Sequence, residues 1–399
     1  MEYGTLVQVR SRSCPIPFGR KPPGKKTTRL GVVAASAALV VSGLTTGTAS
    51  AAPTACSGVI GIVAPLTGGV AFIGKEQQGF AQLAVSDYNA KNGTTFTTKD
   101  YDTQLDAAQA STQAPNIVAN KEILGVMGPA GSQEVLAIGG LLGANDIALV
   151  SPSATRTSLT AGTFPNFYRP IPNDGLQGPG DANYMVKTLK AKEIVVIEEK
   201  TAYGTGLAKE VVATLKALKV KVTNIAVNEK NADYAAVVTR VSKTTNFVFV
   251  TFQDAAKSEK VAQELIKQKK KAVVFGSDGS DQPTFKTPGT YVSAFAPDVN
   301  GLPVAAAVVA AYKATYKAEV TTFGPPAYVA AQVIVEAAGR ACTAGKPNDR
   351  AAVLAEIKKT NIKQTIMGNA LSFTATGDVK GGRFYIFKTQ ADGKRKLVG

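Results

Sequence analysis

Two short segments carry the residues best suited to chemistry: Gly128-Pro129-Ala130-Gly131-Ser132 and Ser151-Pro152-Ser153-Ala154-Thr155. Each follows an apolar run, EILGVM at 122–127 and DIALV at 146–150. Small hydroxyls and free backbone N–H groups at a helix start donate hydrogen bonds toward negative charge, which suits a carboxylate or another small anion. The chain has no histidine, which excludes Ser-His-Asp and Cys-His catalysis and histidine metal sites. Segment 128–132 also lacks the G-x-G-x-x-G spacing of a dinucleotide fingerprint. The residues point to binding without turnover, with no cofactor and no metal.

Positioning these loops requires a particular frame. The runs 122–127 and 146–150 read as strands, and 133–145 between them reads as a helix. Successive strand–loop–helix units imply neighbouring parallel strands, whose loops emerge on one carboxyl edge, where open α/β sheets bind ligands. The same alternation runs through most of the chain. Upstream lie strand 57–64, helix 74–91, strand 94–101 and helix 105–120. After the Pro-rich segment 168–172 the rhythm restarts with helix 175–189, strand 193–197, helix 203–218 and strand 221–227. Helix 234–243, strand 247–251, helix 255–269 and strand 272–276 complete the second set, which ends at Ser277-Asp278-Gly279. The fold class is therefore α/β with two doubly wound lobes. Helices 304–318 and 327–341 and strands 371–373 and 383–388 complete these lobes and do not build a third.

The first fifty residues differ from the rest. Seven basic residues precede a short apolar run at 30–43, and Ala49-Ser50-Ala51 offers a small-residue cleavage site. This order reads as a secretory signal peptide spanning 1–51, so the mature chain is expected outside the cytoplasm, in the periplasm or cell envelope. Export removes one acid with the seven basic residues, lowering the formal charge from +16 to +10. The densest basic run, 267–271, sits at a helix end, where cations are favourable. No aromatic-studded basic motif accompanies it, so nucleic acid is not the expected partner. Cys56 and Cys342 remain after export and can pair in an oxidising compartment. The rival role for Cys56, lipidation, fits poorly with Pro53-Thr54-Ala55 before it.

Several segments together resemble a known family. IGIVAPLTGGVAFIG (60–74), GFAQLAVSDYNAKNG (79–93), GPAGSQ and ALVSPSAT are followed by FYRPIPNDGLQG (167–178), AYGTGLA (202–208) and VVFGSDG (273–279). In this order they resemble solute-binding proteins of the leucine/isoleucine/valine-binding type, the amino-acid receptors of ABC importers. The resemblance implies a type 1 periplasmic binding fold with a multi-strand hinge. One lobe would comprise 52–173 with 302–381, the other 174–301 with 382–399. It implies a monomeric receptor, not an enzyme, that binds an amino acid and delivers it to a membrane permease. Ser132 and Thr155 would hold the ligand carboxylate, the backbone at Ser153 would accept from the ammonium, and Ala154 would lie between them. Asp278 would neutralise the ammonium, Tyr203 would close over the ligand, and Phe72 and Ile73 would border its side chain. Where relatives commonly place an aromatic residue, this chain has Thr251-Phe252-Gln253-Asp254. Gln253 stands nearest that position and Phe252 is the candidate substitute.

Blander roles stand beside these. Ser132 can cap a helix, Asp278 can serve a turn, Tyr203 can merely open its helix, and Asp174 is assigned to helix capping. A receptor for an amide, urea-like or aromatic-acid solute on the same fold, or a sensor subunit, is the alternative function.

Overall fold

A computed structural model describes residues 56–399 of the 399-residue chain; the expected signal peptide, 1–51, lies outside the described residues. The first sheet is built from β1 (Ser57–Ala64), β2 (Thr95–Asp102), β3 (Ile123–Met127), β4 (Ala148–Val150) and β5 (Phe167–Tyr168). Its spatial order is β2-β1-β3-β4-β5 and every pairing is parallel. Connecting helices are α1 (Ala71–Asn92), α2 (Ala107–Ala119) and α3 (Ser132–Gly143). The apolar run of β3 is buried along its whole length, as a parallel strand covered on both faces demands.

The chain then leaves this sheet. Next come α4 (Asp174–Asn183), β6 (Glu193–Glu199), α5 (Ala202–Ala217), β7 (Lys221–Val227), α6 (Ala235–Thr239), β8 (Phe247–Val250), α7 (Ala255–Lys267), β9 (Val273–Gly276) and β10 (Tyr291–Ala294). The chain returns to the first sheet with α8 (Ala306–Tyr316), α9 (Gly324–Thr343) and α10 (Arg350–Ile357), then the small pair β11 (Asn361–Ile362) and β12 (Leu371–Ser372). Finally β13 (Tyr385–Thr389) and β14 (Arg395–Leu397) close the second sheet, ordered β14-β13-β10-β9-β8-β6-β7. Strands β6 to β10 run parallel, and β13 and β14 add an antiparallel edge. Three crossings thus join the lobes: after β5, after β10 and before β13.

The apolar face of α9 packs with α1 over the first sheet, in one core cluster that includes Phe80, Ile60, Ile334 and Tyr312. Cys56, ahead of β1, and Cys342, near the end of α9, form a disulfide with Cα atoms 5.9 Å apart. Two helices differ from the sequence reading. The one expected over 175–189 is α-helical over Asp174–Asn183 and runs on as a wider π turn over Tyr184–Thr188; Pro179 inside it removes one backbone donor without ending it. The helix expected over 234–243 is only Ala235–Thr239, because the β-branched Val237, Val238 and Thr239 propagate a helix poorly. No described helix is long and apolar enough to cross a membrane.

Candidate functional site

The loops after β3 and β4 lie side by side because their strands are paired neighbours. Gly128 lets the first loop leave its strand close against β1: its φ is +116°, and a Cβ there would stand 2.2 Å from the Val63 carbonyl oxygen. The helix start is organised by Glu134, whose carboxylate accepts from the Gly131 N–H. Burial pushes that carboxyl up to about 7. Two serines tie the loops together. Ser151 Oγ donates to the Pro129 carbonyl at 2.6 Å and accepts from Ala154 N–H at 3.0 Å. Ser153 Oγ donates to the Ala130 carbonyl and accepts from Gln77 Nε2, both at 2.8 Å.

Beneath them, Arg169 is fully buried and braces the second loop from behind. It pairs with Asp378 at 2.6 Å and donates to the carbonyls of Ala154 and Arg156 at 3.0 and 2.8 Å. Ser132 Oγ accepts from the Arg156 N–H at 3.3 Å. Thr155 Oγ1 is buried with no hydrogen-bond partner among the described residues.

The second sheet presents its own carboxyl edge. Tyr203 opens α5 just after β6, Gln253 follows β8, and Asp278 follows β9. Thr201 caps α5 by accepting from Gly204 N–H at 2.9 Å, which aims Tyr203 across the sheet edge. Its hydroxyl donates to Asp278 Oδ1 at 2.6 Å. Burial pushes the Asp278 carboxyl up to about 6, while the Tyr203 hydroxyl and the Gln177 amide oppose the rise. Burial and then the Asp278 charge push the Tyr203 hydroxyl well above its usual range.

Behind Asp278, on α4, stand two more buried acids. Asp174 is driven up to about 8 by burial first and the Asp278 charge second. Burial likewise carries Asp181 well above the carboxylate range. Asp181 accepts from Ser293 Oγ at 2.8 Å. Neither Asp174 oxygen makes a hydrogen bond of ordinary geometry, although Thr155 and Arg169 stand close enough to favour its charged form. The capping role expected of Asp174 is corrected here: Asn173 is the cap, accepting from Gly175 N–H at 2.9 Å. Asp174 is instead the first residue inside the helix, buried where the chain passes between lobes.

The two edges face each other across a cavity lined by Ile73, Ala130 and Ser153 on one side and Tyr203, Gln253 and Asp278 on the other. Leu105, Gly279 and Phe323 complete its wall. The cavity measures about 20 Å³, far too small for an amino acid. Bonds across the cleft hold it shut. Gln133 Nε2 donates to Gln253 Oε1 at 3.0 Å, Arg156 donates to the Ala202 carbonyl, and Thr322 Oγ1 donates to Asp281 Oδ2 at 2.6 Å.

Five of the expected site residues therefore line one cavity: Ile73, Ser153, Tyr203, Gln253 and Asp278. Ser132 and Thr155 lie buried in the loops that form the cavity's first side. Neither of these two lines the wall, and three further side chains do not come to it. Phe252 is fully buried and packs against Tyr234, ring centroids 5.4 Å apart, because alternation along the strand exit turns it into the second core. Ala154 faces the core under α3, and Phe72 is solvent-exposed at the first turn of α1. Leu105, Phe323, Gln77 and Arg169 were missed, since single apolar, amide or guanidinium residues carry no motif. Asp174 stands within the segment 167–178, where an acid at a helix start looks like an ordinary cap.

A two-lobed α/β frame, with donors on one sheet edge and an acid–phenol pair on the other, defines a class of ligand-binding receptor. A family model described as periplasmic binding protein matches residues 59–394, and the chain belongs to that family. Among its relatives is Leu/Ile/Val-binding protein homolog 3 of Brucella melitensis biotype 1, 30% identical over 85% of this chain and 92% of the relative. Leu/Ile/Val-binding protein BraC3 of Rhizobium johnstonii is 29% identical over 83% and 91%. The fold is also that of the branched-chain amino acid transporter substrate binding protein LivJ of Streptococcus pneumoniae in complex with isoleucine. That likeness has a TM-score of 0.76 at 24% identity and covers 86% of this chain and 99% of the other. The expected family and fold class are thus established.

Proposed function

We propose that this protein is an exported, monomeric receptor that binds an amino acid, branched-chain or closely related, between its lobes and passes it to an ABC importer without chemical change. The observation that carries the reading is the opposition of the two sheet edges. Loop amides and the hydroxyls of Ser132 and Thr155 would take the carboxylate. Backbone at Ser153 and Ala154 would lie beside the ammonium, and Asp278, held by Tyr203, would supply its counter-charge. A charge-assisted hydrogen bond contributes roughly 1.5–3 kcal/mol, so a few of them with an apolar pocket reach the roughly −8 kcal/mol of micromolar affinity. Names of the relatives support a branched aliphatic ligand. Ile73, Leu105 and Phe323 fit one, while Gln253 adds a polar wall.

Because each lobe grips a different end, bound ligand would draw the lobes together around itself, in an arrangement wider than this one, whose cavity is about 20 Å³, and entry requires the cleft bonds to open. A thermal-shift screen of the mature chain against amino acids and small carboxylates tests the reading. Ligand at a hundredfold its dissociation constant should add roughly 2.7 kcal/mol of stability. Melting shifts confined to acids without an ammonium group would overturn the role given to Asp278.

A further inference from the structure

The second sheet has an opposite edge, and its chemistry is uniform. Lys190 and Lys192 precede β6, Lys219 precedes β7, and Lys221 is its first residue. Lys243 precedes β8, while Lys267, Lys269 and Lys271 lead from the end of α7 into β9. These eight side chains are all exposed. Since β7, β6, β8 and β9 are consecutive parallel neighbours, their amino ends share one pole of the lobe. The pole is about 15 Å wide at the usual strand spacing. Acids offset only two of the lysines: Lys221 pairs with Glu193 at 3.2 Å and Lys267 with Glu264 at 3.3 Å. The other six make no ion pair among the described residues. The first sheet has no such pole, since Lys121 is followed there by Glu122 and the turn before β4 carries Asp146.

We propose that this lysine pole of the second lobe is a docking surface for a flexible, phosphate-bearing anionic polymer of the cell envelope. The lysines come from four separate strand entries, which spaces the charge across a surface and does not gather it into a pocket. That pattern suits a chain of phosphates lying over it, bound through release of counterions. A bilayer fits less well, because Ile266 is the one large, strongly exposed apolar side chain at this pole and interfacial anchoring takes a whole apolar face. Position argues the same way and rests on the receptor reading above. The pole lies at the sheet edge opposite Tyr203, Gln253 and Asp278, so a polymer held there leaves the cleft free to face the importer. A membrane held there would turn the cleft away from it.

The probe is long-chain inorganic polyphosphate, titrated into fluorescently labelled mature protein. Binding should weaken about a thousandfold between 50 and 200 mM salt. It should be lost when Lys190, Lys192, Lys219, Lys243, Lys269 and Lys271 are changed to Gln. A control with Lys75, Lys99, Lys317, Lys358, Lys363 and Lys380 changed to Gln has the same net charge and should retain it. Equal losses in both variants, or retention by the pole variant, would overturn the proposal. So would pole-dependent capture by phosphatidylglycerol vesicles without polyphosphate binding. Amino-acid melting shifts measured on the same samples keep failure of the pole apart from failure of the cleft reading.

Discussion

The two sheet edges that face the cleft solve opposite problems. In the first lobe, the Ser151 and Ser153 hydroxyls are already bonded to loop carbonyls, and Arg169 ties the second loop down from behind. That edge is a finished platform. Across from it, Asp278, Asp174 and Asp181 are buried, and burial raises all three carboxyls. This second edge is unfavourable when ionised and gains most from a bound cation. The comparison teaches that one half of the site supplies rigidity and the other supplies an unmet charge.

The largest difference between lobes should appear in covalent support, which only the first possesses among the described residues. Replacing Cys56 and Cys342 with Ser reopens a connection spanning 286 residues and should cost about 2–5 kcal/mol of stability. Calorimetric melting checks this, and an unchanged transition would remove the disulfide from the account of first-lobe rigidity.

Next in size is Asp278→Asn. It should weaken amino-acid binding about a hundredfold, the loss of one charge-assisted hydrogen bond, while leaving the unliganded protein as stable or more so. Titration calorimetry alongside melting separates these effects. Unchanged affinity would end the ammonium assignment.

The pH dependence follows from the same asymmetry. An unfolded aspartate titrates near 3.9, whereas Asp278 in the folded chain titrates at about 6. Between those values the folded state binds the extra proton, so its contribution to stability falls as pH rises through that window. The penalty is complete above it, and Asp174 extends the fall toward about 8. These acids should therefore make the unliganded protein more stable at pH 5 than at pH 8. Amino-acid affinity should move the opposite way, dropping about tenfold per unit below pH 6 with a proton released on binding. Calorimetry in buffers of different ionisation enthalpy reads that proton directly.

The smallest effects divide the first edge itself. Ser153→Ala strands the Gln77 amide and should lower stability by about 1 kcal/mol. Thr155→Val removes a hydroxyl that makes no hydrogen bond of ordinary geometry but stands beside Asp174, so it should lower affinity by about 1 kcal/mol and lower stability less than Ser153→Ala does. Matching losses in both properties for both variants would erase the distinction between platform and ligand donor.

Much of this arrangement was legible in the chain alone. Alternating apolar runs and turn residues are local signals, so parallel α/β lobes followed from spacing. The loops at 128–132 and 151–155 followed from their positions after strands. Which side chains turn toward the cleft is not a local property. Phe252 and Gln253 are adjacent, yet strand alternation sends one into the core and the other to the cavity. Asp174 looks like any helix-start acid until the return of the chain between lobes buries it near Asp278. The lysine pole hides for the same reason, because its members are spread over some eighty residues and meet only when four strands align their amino ends. Sequence by itself determined the elements, the family and the residue types at each strand end. Only the tertiary structure decided which of those ends share an edge, since strand order and burial are set by contacts between residues far apart in the chain.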